Sequence, residues 1–288
     1  MNDPTPATPA PRRGIYLLPN LFTTGGLLAG YFAIVSAIGG RYVDAAIAVF
    51  VAGVLDGVDG RVARGRRRED GSAVVLKYPV MEYPSLREIG RLKNEYEILK
   101  DLSDRGVEHI LRVYALERLD HRMLMVSEDF GGVQLKDYFA DGMVDTEEFL
   151  RIAIAIASAL LSVHQHNIIH KDLNPRNILI NPKTGQVKLI DFGIATRLSR
   201  EHQEIRSPDR LDGTLAYMSP EQTGRINRTL DYRTDMYSLG TTLYELLSGA
   251  PPFSATDAME LLHCHIASEP QPLHERGVPR ALSDIVAK

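Results

Sequence analysis

The chain has 288 residues, with 33 Lys+Arg against 37 Asp+Glu, so no basic excess marks it for nucleic acid. A hydrophobic content of 44% beside 24% charged residues excludes wholesale disorder. The single cysteine, Cys264, excludes an intrachain disulfide framework and a cysteine-based zinc finger, and it fits a reducing compartment.

Residues 1–11 are rich in Pro, Thr and Ala and read as a flexible tail. Arg12 and Arg13 precede residues 14–40, which hold no charge and exceed the ~20 apolar residues that a membrane-spanning helix needs. A signal peptide cleaved near Ala37 is the competing reading, but the run is longer than a signal core. A second apolar stretch, 45–55, is shorter and lies between Asp44 and Asp56. Arginines crowd the outer flanks, with Arg61, Arg64, Arg66, Arg67 and Arg68 on the far side and Arg41 alone in between. The positive-inside rule then puts both ends on the cytoplasmic side.

Residues 74–77 read as a strand ending in Lys77. Apolar Leu86, Ile89, Leu92, Tyr96 and Leu99 predict a helix over 86–102. Strand-like runs follow at 109–115 and 122–127, then Gly131-Gly132 and a strongly apolar helix over 149–166. Residues 279–288 look like the opening of a late helix.

Two sets of residues carry family resemblances. Asp56, Asp59, Gly60, Ala63 and Arg64 spell the first half of D-x2-D-G-x2-A-R-x8-G-x3-D-x3-D. With the apolar stretch from Arg12, they resemble the start of bacterial phosphatidylserine synthase, a CDP-alcohol phosphatidyltransferase. Carboxylates of that motif hold divalent cations on the diphosphate of a CDP-lipid. The second half is missing, because Ala73 replaces the glycine while Lys77 and Met81 occupy the later aspartate positions. The resemblance implies a membrane-anchoring fragment without transferase activity.

The second set is His170-Lys171-Asp172-Leu173-Asn174-Pro175-Arg176-Asn177, then Asp191-Phe192-Gly193, Gly213-Thr214, Ser219-Pro220-Glu221, and Asp235 with Gly240. In this order it resembles the eukaryotic-type protein kinases, most of all the Ser/Thr kinase domain that heads very large bacterial sensor proteins. The implied fold is α+β and two-lobed, following a tail and membrane helical segment over 1–61. A small β-rich N-lobe covers 62–128, and a helical C-lobe covers 129–288 and is cut short at its C-terminus.

The resemblance also implies roles. Lys77 holds the ATP α- and β-phosphates, and Glu95 pairs with Lys77, with Glu88 and Glu97 as alternative partners. Asp172 accepts the substrate hydroxyl proton, while Asn177 and Asp191 hold Mg²⁺. Glu128 and Phe130 bound the nucleotide-binding hinge behind Ser127, and Gly57, Gly60 and Val62 stand at phosphate-loop positions. His170 is a packing residue that holds the catalytic loop.

Several positions depart from the family. Lys171 replaces an arginine, and Asn174 replaces a lysine that touches the transferring phosphate, a charge that Arg176 could supply. Leu55 replaces the first loop glycine, and residues 45–62 form either a membrane helix or a phosphate-loop hairpin. In the hairpin, Asp56 and Asp59 would repel ATP. Glu221 has no evident partner.

The expected function is a membrane-tethered Ser/Thr protein kinase, using MgATP on protein hydroxyls at reduced activity. Its kinase domain is expected on the cytoplasmic side of the bacterial inner membrane, without nucleic-acid partners. A pseudokinase or binding module, and an inactive phosphatidyltransferase fragment, are the alternatives.

Overall fold

The computed structural model describes residues 61–287 apart from 68–69, 80, 82, 120–121, 141–144, 199–214 and 225–228. The expected span over 14–40, the carboxylates Asp56 and Asp59, the glycines Gly57 and Gly60, and Thr214 all lie outside the described residues. Among the described residues no helix is long and apolar enough to cross a membrane.

A four-stranded sheet forms from β1 (Arg61–Arg66), β2 (Ala73–Tyr78), β3 (Val113–Leu119) and β4 (Arg122–Glu128), in the order β1-β2-β4-β3, with the run Val74-Val75-Leu76 giving β2 its strand preference. Between β1 and β2 the chain reverses at Gly71, whose φ of 72° suits a residue without Cβ. β2 runs antiparallel to β4 with Val74 opposite Glu128 and Lys77 opposite Met125. Residues 61 and 62 open β1, while 45–60, for which the sequence leaves two readings, lie outside the described residues.

The strand expected over 109–115 starts only at Val113. Ile110 upstream instead makes an isolated bridge to Leu189, on the other side of the hinge.

Helix α1 (Leu86–Asp104) opens with a capping box, in which the Ser85 hydroxyl accepts from the Glu88 N–H at 3.2 Å and Glu88 Oε2 accepts from the Ser85 N–H at 2.7 Å. Leu92, Glu95, Ile98, Leu99 and Leu102 recur at helical spacing and form its buried face. Leu86, expected on that face, is 89% exposed, because the first turn starts before the helix reaches the core.

Beyond the hinge, β5 (Val133–Gln134), β7 (Ile178–Ile180) and β8 (Val187–Leu189) form a small sheet in the order β5-β7-β8. β6 (Ile168–Ile169) pairs with β9 (Thr196–Arg197). Among the described residues the lobe also holds α2 (Leu135–Tyr138), α3 (Thr146–His164), α4 (Tyr232–Ser248), α5 (Ala258–Ala267) and α6 (Arg280–Val286). α3 starts three residues earlier than its apolar run, with Glu147 and Glu148 placed where the helix dipole favours anions.

Ile156 and Leu160 of α3 join Leu99, Leu102, Ile178, Leu189 and Phe192 in one continuous core. Each such side chain contributes about 1.5–3 kcal/mol by leaving water. The segments that carry the motif residues are thus fastened to a single apolar body.

Candidate active site

Strand β2 presents Lys77 and the buried face of α1 presents Glu95. Lys77 Nζ donates to Glu95 Oε2 at 2.7 Å and to Asp191 Oδ1 at 3.1 Å. Neither alternative glutamate competes, since Glu88 is spent on the helix cap and Glu97 is exposed. Burial works against the Lys77 ammonium, but Glu95 and then Asp191 hold its pKa far above the usual lysine range. Burial likewise opposes the Asp191 carboxylate, yet Lys77 keeps it below the usual carboxylate range. Glu95 is pushed up by burial more than Lys77 pulls it down. A cation shared by two carboxylates leaves one excess negative charge beside Asp191.

Asp191 itself has a φ of 64°, a left-handed conformation that Asp tolerates better than most residues. The next residues are fixed from two sides. His170 Nε2 lies 2.8 Å from the Ile190 carbonyl, and its ring sits 4.6 Å from that of Phe192. Its Nδ1 faces the Asp172 N–H at 3.3 Å. These contacts agree with the packing role expected for His170.

The catalytic-loop backbone turns at Lys171, where φ is 69°. Fully buried Asp235 holds that turn, accepting from the N–H groups of His170 and Lys171 at 2.8 Å each and contacting His164 Nε2 at 2.8 Å. Gln222 closes the other side, donating to the Lys171 carbonyl at 2.8 Å.

Asn177 donates Nδ2 to the Asp172 carbonyl at 2.8 Å and to Asp172 Oδ2 at 3.0 Å. That leaves Asn177 Oδ1, a hard oxygen donor, for a cation. Asn174 behaves differently from the residue whose position it takes. It is 2% exposed, its Nδ2 donates to the Asp172 carbonyl at 3.0 Å, and its Oδ1 accepts from the Arg176 N–H at 2.9 Å. Its short amide braces the loop instead of extending a charge. Arg176 is exposed beside it, and its charge pulls against the burial and the Glu245 hydrogen bond that push the Tyr217 phenol up.

At the hinge, the Glu128 carboxylate accepts from Lys188 Nζ and, at 2.8 Å, from the Arg112 N–H. The Phe130 carbonyl accepts from Asn181 Nδ2 at 2.5 Å. A Cβ on Gly132 would stand 2.4 Å from the Phe130 ring, so that glycine makes room for it. Ser127 is 2% exposed and points its hydroxyl to the Val75 carbonyl, while Val62 is 65% exposed on β1. Arg64 of β1 pairs with Asp129 through Nε and Oδ2 at 3.2 Å, so one residue of the transferase half-motif is used by the hinge.

Glu221 has the partner that the sequence did not supply. It is half-buried, and its Oε1 accepts from the Thr234 hydroxyl at 2.9 Å. Sequence reasoning also passed over Lys188, Gln222 and Asn94 and gave Asp235 no role. Only Asp235 carried a usable signal, its fixed spacing to Gly240.

Among the described residues no group of three or more His, Cys, Asp or Glu is placed to hold a metal. The donor set of Asp191 and Asn177 still suits Mg²⁺, which takes one or two protein ligands and completes its octahedron with water and phosphate oxygens.

The fold and this constellation define a protein kinase domain. Residues 53–280 match the protein kinase domain family, and the chain belongs to it. Residues 16–69 match the CDP-alcohol phosphatidyltransferase family, so the two matches share residues 53–69.

The chain is similar to serine/threonine-protein kinase 36 of Pongo abelii, 35% identical over 207 residues, or 72% of this chain and 15% of that protein. It is 34% identical over 220 residues to serine/threonine-protein kinase PrkC of Bacillus subtilis, or 75% of this chain and 33% of that protein. A probable serine/threonine-protein kinase of Clostridium perfringens is 33% identical over 231 residues, or 79% of this chain and 33% of that protein. The matched stretch is therefore a third or less of each relative.

Proposed function

We propose that the chain transfers the γ-phosphoryl group of ATP, with Mg²⁺, to Ser or Thr hydroxyls of proteins. The observation that carries this reading is the joining of Lys77, Glu95 and Asp191 by hydrogen bonds of 2.7 and 3.1 Å across two lobes. The names of the relatives support the Ser/Thr class.

MgATP, when bound, supplies the phosphoryl group and the divalent charge that offsets negative charge on the phosphates. Lys77, steadied by Glu95, binds phosphate oxygens. Asp191 and Asn177 are the residues that would hold Mg²⁺. Asp172, its carboxylate oriented by the Asn177 amide, takes the proton of the acceptor hydroxyl, and Arg176 supplies positive charge nearby. The hinge backbone from Glu128 to Phe130 receives the base.

Membrane tethering belongs to the same proposal, supported by the uncharged run 14–40 and its flanking arginines. The kinase domain then faces the cytoplasm.

The test is Asp191→Asn, which removes a metal ligand without changing volume. Transfer from labelled ATP to a generic protein acceptor should fall by at least about a thousandfold with the melting temperature preserved. Unchanged turnover would remove the assignment.

A further inference from the structure

Helix α1 runs beside the segment that follows Asp191, and successive residues of the helix touch it in order. Gly193 packs against the first contact, since a Cβ there would lie 3.4 Å from both Arg91 Cβ and Asp191 Oδ1. One turn on, Asn94 donates Nδ2 to the carbonyls of Phe192 at 3.2 Å, Gly193 at 3.2 Å and Ala195 at 2.9 Å. Two turns further, Asp101 accepts from Arg197 at 2.9 Å. Residues three and seven apart share a helix face, so this is one continuous seam.

The three carbonyls converge because the backbone is left-handed at Asp191 and closes a turn from the Ala195 N–H to the Phe192 carbonyl at 3.1 Å. Converging carbonyls demand a donor, and an amide with two hydrogens serves them. A carboxylate of the same size would face them oxygen to oxygen. The residue after Asn94 is Glu95, which holds Lys77. Two consecutive side chains of one helix thus grip the phosphate-binding lysine and the backbone that aims the metal-binding aspartate.

We infer that Asn94 is a positioning residue for phosphoryl transfer, its amide fixing the backbone after Asp191 so that the Asp191 carboxylate stays beside Lys77. This rests on the kinase reading above. Position 94 therefore selects for a hydrogen-bond donor, not for size.

The test compares wild type with Asn94→Leu, Asn94→Asp and Asn94→Ser in the full chain. Two quantities are read: hydrogen exchange of the amides of residues 192–197, and the Mg²⁺ concentration for half-maximal ATP-dependent phosphorylation. Exchange should quicken about tenfold in Asn94→Leu and further in isosteric Asn94→Asp. Asn94→Ser, which keeps a donor, should fall between wild type and Leu. The Mg²⁺ requirement should rise in the same order, a shift that mere loss of folded protein would not produce.

Unchanged exchange in both the Leu and Asp variants overturns the inference, as does an activity loss at constant Mg²⁺ requirement. A wild type that transfers no phosphate from MgATP would sink the kinase reading instead. The exchange measurement then decides by itself whether Asn94 holds the Asp191 backbone.

Discussion

Lys77 Nζ stands 2.7 Å from Glu95 Oε2, joining a strand of the small lobe to the buried face of α1. The same ammonium reaches Asp191 at 3.1 Å, so one cation gathers three chain segments. Breaking its bond to Glu95 should disturb chemistry more than folding, because burial already disfavours the Glu95 charge.

Glu95→Gln should therefore lower kcat/KM for ATP by about 10- to 100-fold, the worth of a charge-assisted hydrogen bond. Its melting temperature should stay within a few degrees of wild type, and Glu97→Gln should match wild type in both respects. Steady-state kinetics with varied MgATP checks this. Equal losses from both substitutions would contradict the pairing.

Asp235 has the opposite profile, being far from solvent and fully engaged with backbone donors. Asp235→Asn would turn amide hydrogens toward the N–H groups of His170 and Lys171 or leave one of them unmet. We expect destabilisation of about 2–4 kcal/mol together with loss of catalytic-loop order. Urea unfolding measures the first effect, and a change below about 0.5 kcal/mol would show that the carboxylate is dispensable.

His265 gives a pH prediction. Its ring is 5% exposed, lies 2.8 Å from the Tyr237 hydroxyl and 5.2 Å from the Phe253 ring centroid, and has its pKa lowered by burial from 6.5. With the folded pKa below the unfolded one, the unfolded chain binds the proton first as pH falls. The contribution of His265 is complete above about pH 6.5 and declines as pH drops toward its folded pKa. His265→Gln should flatten the fall in melting temperature between about pH 6.5 and 5. A slope identical to wild type would assign the acid sensitivity elsewhere.

The motif residues were legible in the sequence because they stand in short ordered runs, while the two lobes were what the resemblance to the protein kinases implied. Residues 74–77 read as a strand from composition, α1 from its apolar period, and the catalytic loop from its resemblance to the protein kinases. Long-range polar pairing was not legible. The Lys188–Glu128 contact spans 60 positions, and the Asn94 amide bonds lie 98 to 101 positions apart. Neither alters a periodicity that a sequence reader can count.

Leu86 failed for another reason, since an apolar residue in a helical pattern need not be buried. Glu221 found its partner in Thr234, whose hydroxyl gives no charge signal in the sequence.

The central claim is that Asp172, Asn177, Asp191 and Lys77 form a working phosphoryl-transfer site. The most direct measurement follows label from [γ-³²P]ATP into a protein acceptor, with MgATP affinity determined in parallel for wild type and Asp172→Asn. The account predicts transfer by wild type to Ser or Thr alone, and a loss of at least about a thousandfold in the variant with ATP affinity changed less than about threefold. Transfer that survives Asp172→Asn undiminished, or a wild type that binds MgATP and transfers nothing, would contradict it.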